Sequence, residues 1–91
     1  MRTYLEIVYT ESIFQNGILL TETKTKWECE TDNIDPYIRK VEELAELEVT
    51  YKSNGIDALF QESAFGQSAE LCVHHSDSIT SWRKVEYTTF A

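Results

Sequence analysis

Apolar and polar residues alternate along much of the chain with the period of two that marks a strand, and one central segment departs from it with helical spacing. Residues 3 to 10, TYLEIVYT, are β-branched and aromatic, and within residues 18 to 30, ILLTETKTKWECE, the alternation is strict from Thr21 onward. Both segments predict strands. The QNG between them predicts a three-residue hairpin loop with Gly17 left-handed. That loop sets Leu5 opposite Trp27, Ile7 opposite Thr25 and Tyr9 opposite Thr23 on one face, and Glu6 opposite Lys26 on the other. A two-residue Asn-Gly turn would instead set Glu11 against Glu22, a like-charge pair that costs stability, so the longer loop is favoured.

Asp35-Pro36 marks a helix start, with the aspartate as N-cap acceptor and the proline where a missing N–H costs nothing. Tyr37, Ile38, Val41, Leu44, Ala45 and the stem of Glu48 then form an apolar stripe. Arg39, Lys40, Glu42, Glu43 and Glu46 occupy the opposite side, where Arg39 with Glu42 or Glu43, and Lys40 with Glu43, offer pairs worth a few tenths of a kcal/mol each. The next stretch, 49 to 63, supports two structures. In one, Asn54-Gly55 is a hairpin turn setting Lys52 against Asp57, Tyr51 against Ala58 and Val49 against Phe60. In the other, the helix runs to Ser53, stops at Gly55, and a short helix begins at Ile56. The run Val49-Thr50-Tyr51 favours strands. SAELCVHH and WRKVEYTTF predict a closing strand pair joined by a polar loop. The pattern therefore predicts a single α+β domain over residues 1–91: an antiparallel sheet of about four to six strands, N-terminal hairpin first, packed on one main helix.

Ninety-one residues suffice for one modest core, and 42% hydrophobic residues with three Gly and one Pro argue against disorder. No apolar run approaches signal-peptide or membrane-spanning length, so a cytoplasmic protein is expected. Two cysteines far apart, Cys29 and Cys72, do not form a disulfide framework, and a reducing compartment fits them. The formal charge of −8 disfavours direct contact with nucleic acid or acidic membranes, and attracts basic protein surfaces over about 8–10 Å at ordinary salt.

Candidate chemistry is sparse. Cys72 and His74 share a strand face, and Cys29 across the sheet would make a third soft zinc ligand, but no paired ligand spacing supports it. A Cys72–His74 nucleophile pair fails because neighbours two apart on a strand lie parallel rather than aimed at each other. Gly17, Gly55 and Gly66 stand alone, so no phosphate loop or cofactor motif exists, and no enzyme, metal site or cofactor is expected. Most aromatics are core or cross-strand residues. Trp82, beside a polar loop, and Ile13 and Phe14, beside a hairpin tip, are candidate interface anchors, although folding back onto the sheet is the simpler outcome.

The strongest signal is acidic. Residues 28 to 48 hold eight of the sixteen carboxylates against Arg39 and Lys40. Glu28, Glu30, Asp32, Asp35, Glu42, Glu43 and Glu46 form a candidate binding band for a basic partner. Small size, acidity, lack of a catalytic motif and an α+β domain resemble in character the DNA-mimic proteins that phages make against restriction or CRISPR systems. That likeness implies an inhibitor docking on a nucleic-acid-binding protein. The alternative is an assembly module that associates with its own copies, as a homodimer or larger oligomer, through a sheet edge and exposed aromatics.

Overall fold

The computed structural model describes residues 3–90. Its elements, in chain order, are β1 (Tyr4–Gln15), β2 (Ile18–Glu30), α1 (Asp35–Ser53), β3 (Asp57–Glu62), β4 (Ser68–His74) and β5 (Ile79–Phe90). The strands make one antiparallel sheet in the order β2-β1-β5-β4-β3, with α1 against β3, β4 and β5. This is the α+β architecture, hairpin first, that the alternation predicts.

The first hairpin turns more tightly than expected. Asn16 and Gly17 have φ of 52° and 79°, the double left-handed geometry of a two-residue turn, and Gln15 pairs with Ile18. Phe14 then pairs with Leu19 but Ile13 with Thr21, so Leu20 is an extra, bulged residue. The bulge corrects the anticipated register: Leu5 faces Cys29, Ile7 faces Trp27, Tyr9 faces Thr25 and Glu6 faces Glu28. It also separates Glu11 from Glu22, which removes the objection to the Asn-Gly turn.

The helix carries the chain from the β2 edge to the β3 edge. Asp35 is its first residue rather than its cap: Ile34 holds the cap position, and no side chain among the described residues caps the helix. The Asp35 carboxylate still sits in the first turn, where the helix dipole favours it. Residues 49 to 53 are helical, not strand. Tyr37, Val41, Leu44, Glu48 and Tyr51 continue one stripe at spacings of three and four, which outweighs the local β preference of Val49 and Thr50. Val49 is 66% exposed, and Thr50 returns its hydroxyl to the Glu46 carbonyl at 3.1 Å. The stop is a Schellman arrangement, with Gly55 N–H on the Lys52 carbonyl (3.0 Å) and Ile56 N–H on the Tyr51 carbonyl (2.9 Å). Beyond Gly55 (φ 78°) the chain enters the strand β3, not a second helix.

The core joins Ile7 and Tyr9 of β1, Ala58, Ala69, Leu71, Val73 and Val85 of the other strands, and Tyr37 and Leu44 of α1. Tyr37 meets Tyr87 edge-on at 4.7 Å. Of β2 only Cys29 reaches this core. The opposite face of the sheet carries no helix. There Trp82 lies over the strands, its indole N–H donating to Glu70 at 2.9 Å, so it folds back rather than standing free.

Replacing the fully buried Leu44 with Ala should cost about 2–5 kcal/mol in denaturant unfolding. Val49→Ala, at an exposed helical position, should stay within about 0.5 kcal/mol of the native value; a loss as large as that of Leu44→Ala would contradict the helix at 49.

Candidate functional site

The predicted acidic residues occupy two sides of the sheet. On β2 the side chains alternate, so Cys29, which packs on the core beneath α1, separates Glu28 and Glu30, which point to the helix-free face. Asp32 lies in the turn after β2 and Asp35 in the first turn of α1. Glu42, Glu43 and Glu46 are exposed on α1, on the other side of the sheet. The geometry thus brings together Asp32 and Asp35 at the β2–α1 corner, and Glu42, Glu43 and Glu46 on the helix, but not the strand pair with the helical trio.

The helical carboxylates differ in how far the chain already satisfies them. Lys40 binds Glu43 at 3.1 Å and lies over the Tyr9 ring at 4.5 Å, so its charge is committed. Lys52 binds Glu48 at 3.5 Å, and Glu48 also accepts the Phe60 N–H, which ties α1 to β3. The carboxylates of Glu42 and Glu46 have no ion pair or hydrogen bond among the described residues. Asp35 and Arg39 are likewise without an ion pair or hydrogen bond among the described residues, so of the pairs expected on the helix Lys40 with Glu43 forms and Arg39 with Glu42 or Glu43 does not.

Beside them is a feature that the acidic count does not reveal. Ile34, Tyr37, Ile38 and Val41 of the helix and its approach, with Glu62 and Gly66 from the β3–β4 side, line an open groove of about 340 Å³ that Glu42 also borders. Ile38, assigned by its spacing to the core stripe, is instead 43% exposed, one position off the line through Tyr37, Val41 and Leu44. Next to Gly66, Phe65 is 89% exposed. A lone aromatic beside glycine in the polar stretch QESAFGQS is the sequence signal that could have found it. The groove therefore combines an apolar floor with two carboxylates, Glu42 and Glu62.

Burial pushes the Tyr37 phenol up to about 12, with Tyr87 and the Glu62 carboxylate adding to the shift. At neutral pH the floor is neutral and the rim negative. Such a site suits Lys or Arg, whose aliphatic stems lie on apolar surface while the charged head reaches a carboxylate.

The remaining candidates do not assemble. Cys72 pairs with Trp82 on the helix-free face, and burial together with Glu70 raises its thiol above the usual range. Cys29 lies on the helix face of β2, its thiol on the Asn33 carbonyl at 3.3 Å. Two strands and the thickness of the sheet separate them, so they form neither a disulfide nor part of one metal set; both are free. His75 meets the Ser81 hydroxyl at 2.7 Å and the edge of Tyr51 at 5.4 Å, in a hollow of about 190 Å³. No carboxylate among the described residues is bonded to the other ring nitrogen, so the pair closes the β4–β5 loop without the orienting group a nucleophilic serine needs. Ile13 is partly exposed and Phe14 half-buried at the hairpin end. Among the described residues no helix is long and apolar enough to cross a membrane. Neither a family model, nor a curated protein, nor a solved structure matches the chain.

Tyr9 is likewise raised to about 12, by burial first and then by the neighbouring Glu11 carboxylate, with Arg83 opposing. Both phenols ionise more readily in the unfolded chain, near pH 10. Their contribution to stability is complete below pH 10 and lost as pH rises from 10 to 12. Tyr37→Phe and Tyr9→Phe should each remove one phenol from the latest phase of an ultraviolet titration and shallow the alkaline fall in stability; an unchanged late phase would refute the assignment.

Proposed function

We propose that the protein is a non-enzymatic interaction module that binds a basic segment of a partner protein along α1. The observation that carries this reading is the pairing of unsatisfied helical carboxylates, Glu42 and Glu46, with an adjoining apolar groove bordered by Glu42 and Glu62. Asp32 and Asp35 extend the negative surface at the start of the helix, and Glu43 shares its charge with Lys40. The whole-chain charge of −8 favours encounter with a basic surface and repels phosphate.

Proteins that bind nucleic acid present the densest basic surfaces, and occupying one of them would make this chain an inhibitor. The mode is capture of individual basic side chains rather than imitation of a duplex. Glu42 and Glu46 rise about 6 Å apart along the helix, whereas duplex phosphates present a charge per about 1.7 Å of axis. Glu28 and Glu30 point to the other face and take no part in this contact.

In a pull-down from nuclease-treated host lysate, the native chain should retain basic proteins at low salt and release them as salt rises. Glu42→Lys with Glu46→Lys should weaken that retention at least about tenfold. Retention unchanged by the double substitution, or indifferent to salt, would remove the helix from the binding surface.

A further inference from the structure

The two edges of the sheet are treated differently by the fold. At one edge β3 is six residues long, and the carboxylate of Glu48 occupies its Phe60 N–H. At the other, β2 runs for thirteen residues, exposed throughout except at Cys29, and α1 packs over β3, β4 and β5 instead. Half the backbone donors and acceptors of such an edge face outward, a template for another strand.

The sequence of that edge is self-complementary. Lys24-Thr25-Lys26-Trp27-Glu28-Cys29-Glu30 places two lysines before Trp27 and two glutamates after it, all four on the helix-free face. We propose that two copies of the chain pair their β2 strands antiparallel about a two-fold axis at Trp27. In this register Lys26 faces Glu28 of the second copy and Lys24 faces its Glu30, and symmetry repeats both pairs. Moving the axis to Thr25 sets Lys24 against Lys26 and Glu22 against Glu28. Moving it to Lys26 or Glu28 sets that residue against itself. Lysines on an edge strand ordinarily discourage pairing; here glutamates at the mirrored positions make them select one register instead.

The folded single chain leaves Lys24, Lys26 and Glu28 poorly placed. Glu28 stands directly opposite Glu6, a destabilising pair, Lys26 stands opposite Val8, and Lys24 reaches only Glu22, at 3.7 Å two residues away. A second copy gives Glu28 a lysine. On the helix side, Trp27, 41% exposed, meets its own copy. A two-fold perpendicular to the sheet keeps both helices on one side of a continuous ten-stranded sheet. Residues 31–34 carry the chain away to α1 at the end of β2, so the paired segment is 24–30. Neither Glu42, Glu46 nor Glu62 belongs to it, so this inference and the proposed helical docking surface stand or fall separately.

Sedimentation equilibrium on the full chain tests the pairing. The native chain should dimerise. Lys24→Glu with Lys26→Glu, which makes all four charges of the paired segment acidic, and Glu28→Lys with Glu30→Lys, which makes all four basic, should each weaken self-association by about a hundredfold. An equimolar mixture of the two should recover the dimer as a heterodimer. A Thr25→Cys variant checks the register independently of charge, since that thiol faces Cys29 of the second copy at a separation a disulfide spans. With oxidised glutathione it should give a covalent dimer on a non-reducing gel. A native chain that stays monomeric at the highest concentration reached would overturn the proposal and leave the edge to a strand of another protein. Folded charge variants that dimerise as the native chain does, or that fail to pair when mixed, would overturn it equally, as would absence of the crosslink in a folded Thr25→Cys variant.

Discussion

One helix has to cover five strands, and the rest of the molecule is shaped by that shortfall. A helix is about 10–12 Å across with its side chains, while five strands at about 4.8 Å spacing are roughly twice as wide. The stripe of Tyr37, Leu44 and Tyr51 therefore commits α1 to one part of the sheet. It settles over β3, β4 and β5, where Ala58, Ala69, Leu71, Val73 and Val85 supply small and branched partners. Ile7 and Tyr9 are the last residues it shelters towards the hairpin, and Lys40 closes over the Tyr9 ring at that margin. Everything outward on β2 stays in water. The groove beside Ile38 and the bare edge of β2 are thus two consequences of the same covering problem, one on each flank of the helix.

A second constraint acts through the hairpin. The tight Asn16-Gly17 turn fixes one register, and the bulge at Leu20 resets it by one residue for the rest of β2. Without the bulge Glu11 would oppose Glu22; with it the side chains keep the face that puts Cys29 beneath the helix. The cost is the Glu6–Glu28 opposition further along. Register in a sheet is all or nothing, because a slip of one residue moves every side chain to the other face. The fold accepts one repulsive pair on a wet face in order to keep Cys29, and not Glu28, turned towards the core.

Periodicity made the elements and the fold class legible, because strand alternation and a helical stripe are local properties that burial enforces. The stripe itself reached Tyr51, and it outweighs Val49-Thr50, whose side chains never meet the core. The hairpin register was less accessible. The triplet Ile18-Leu19-Leu20 interrupts the alternation and is the trace of a bulge, but it is equally consistent with a longer loop. The acidic count was legible, yet its division was not: which face Glu28 and Glu30 take depends on Cys29 turning inward, and that is decided by packing. Ile38 and Phe65 show the converse, since apolar spacing predicts burial and cannot show that a single helix fails to cover one of its own residues.

Charge has a different task on each exposed surface. On α1 the neutralised positions, Glu43 with Lys40 and Glu48 with Lys52, are those that also hold the fold together: Lys40 through the Tyr9 ring, and Glu48 through the Phe60 N–H. Glu42 and Glu46 have no ion pair or hydrogen bond among the described residues, so these two carboxylates are not part of that bracing. Within residues 24 to 30 of β2 the bases precede Trp27 and the acids follow it, and along one strand that order itself gains little, since residues along a strand are too far apart to neutralise one another except as next-nearest neighbours. Segregation becomes useful only when the strand meets its own reverse. The same count of charges, scattered, would have kept the chain just as acidic and its edge merely repellent.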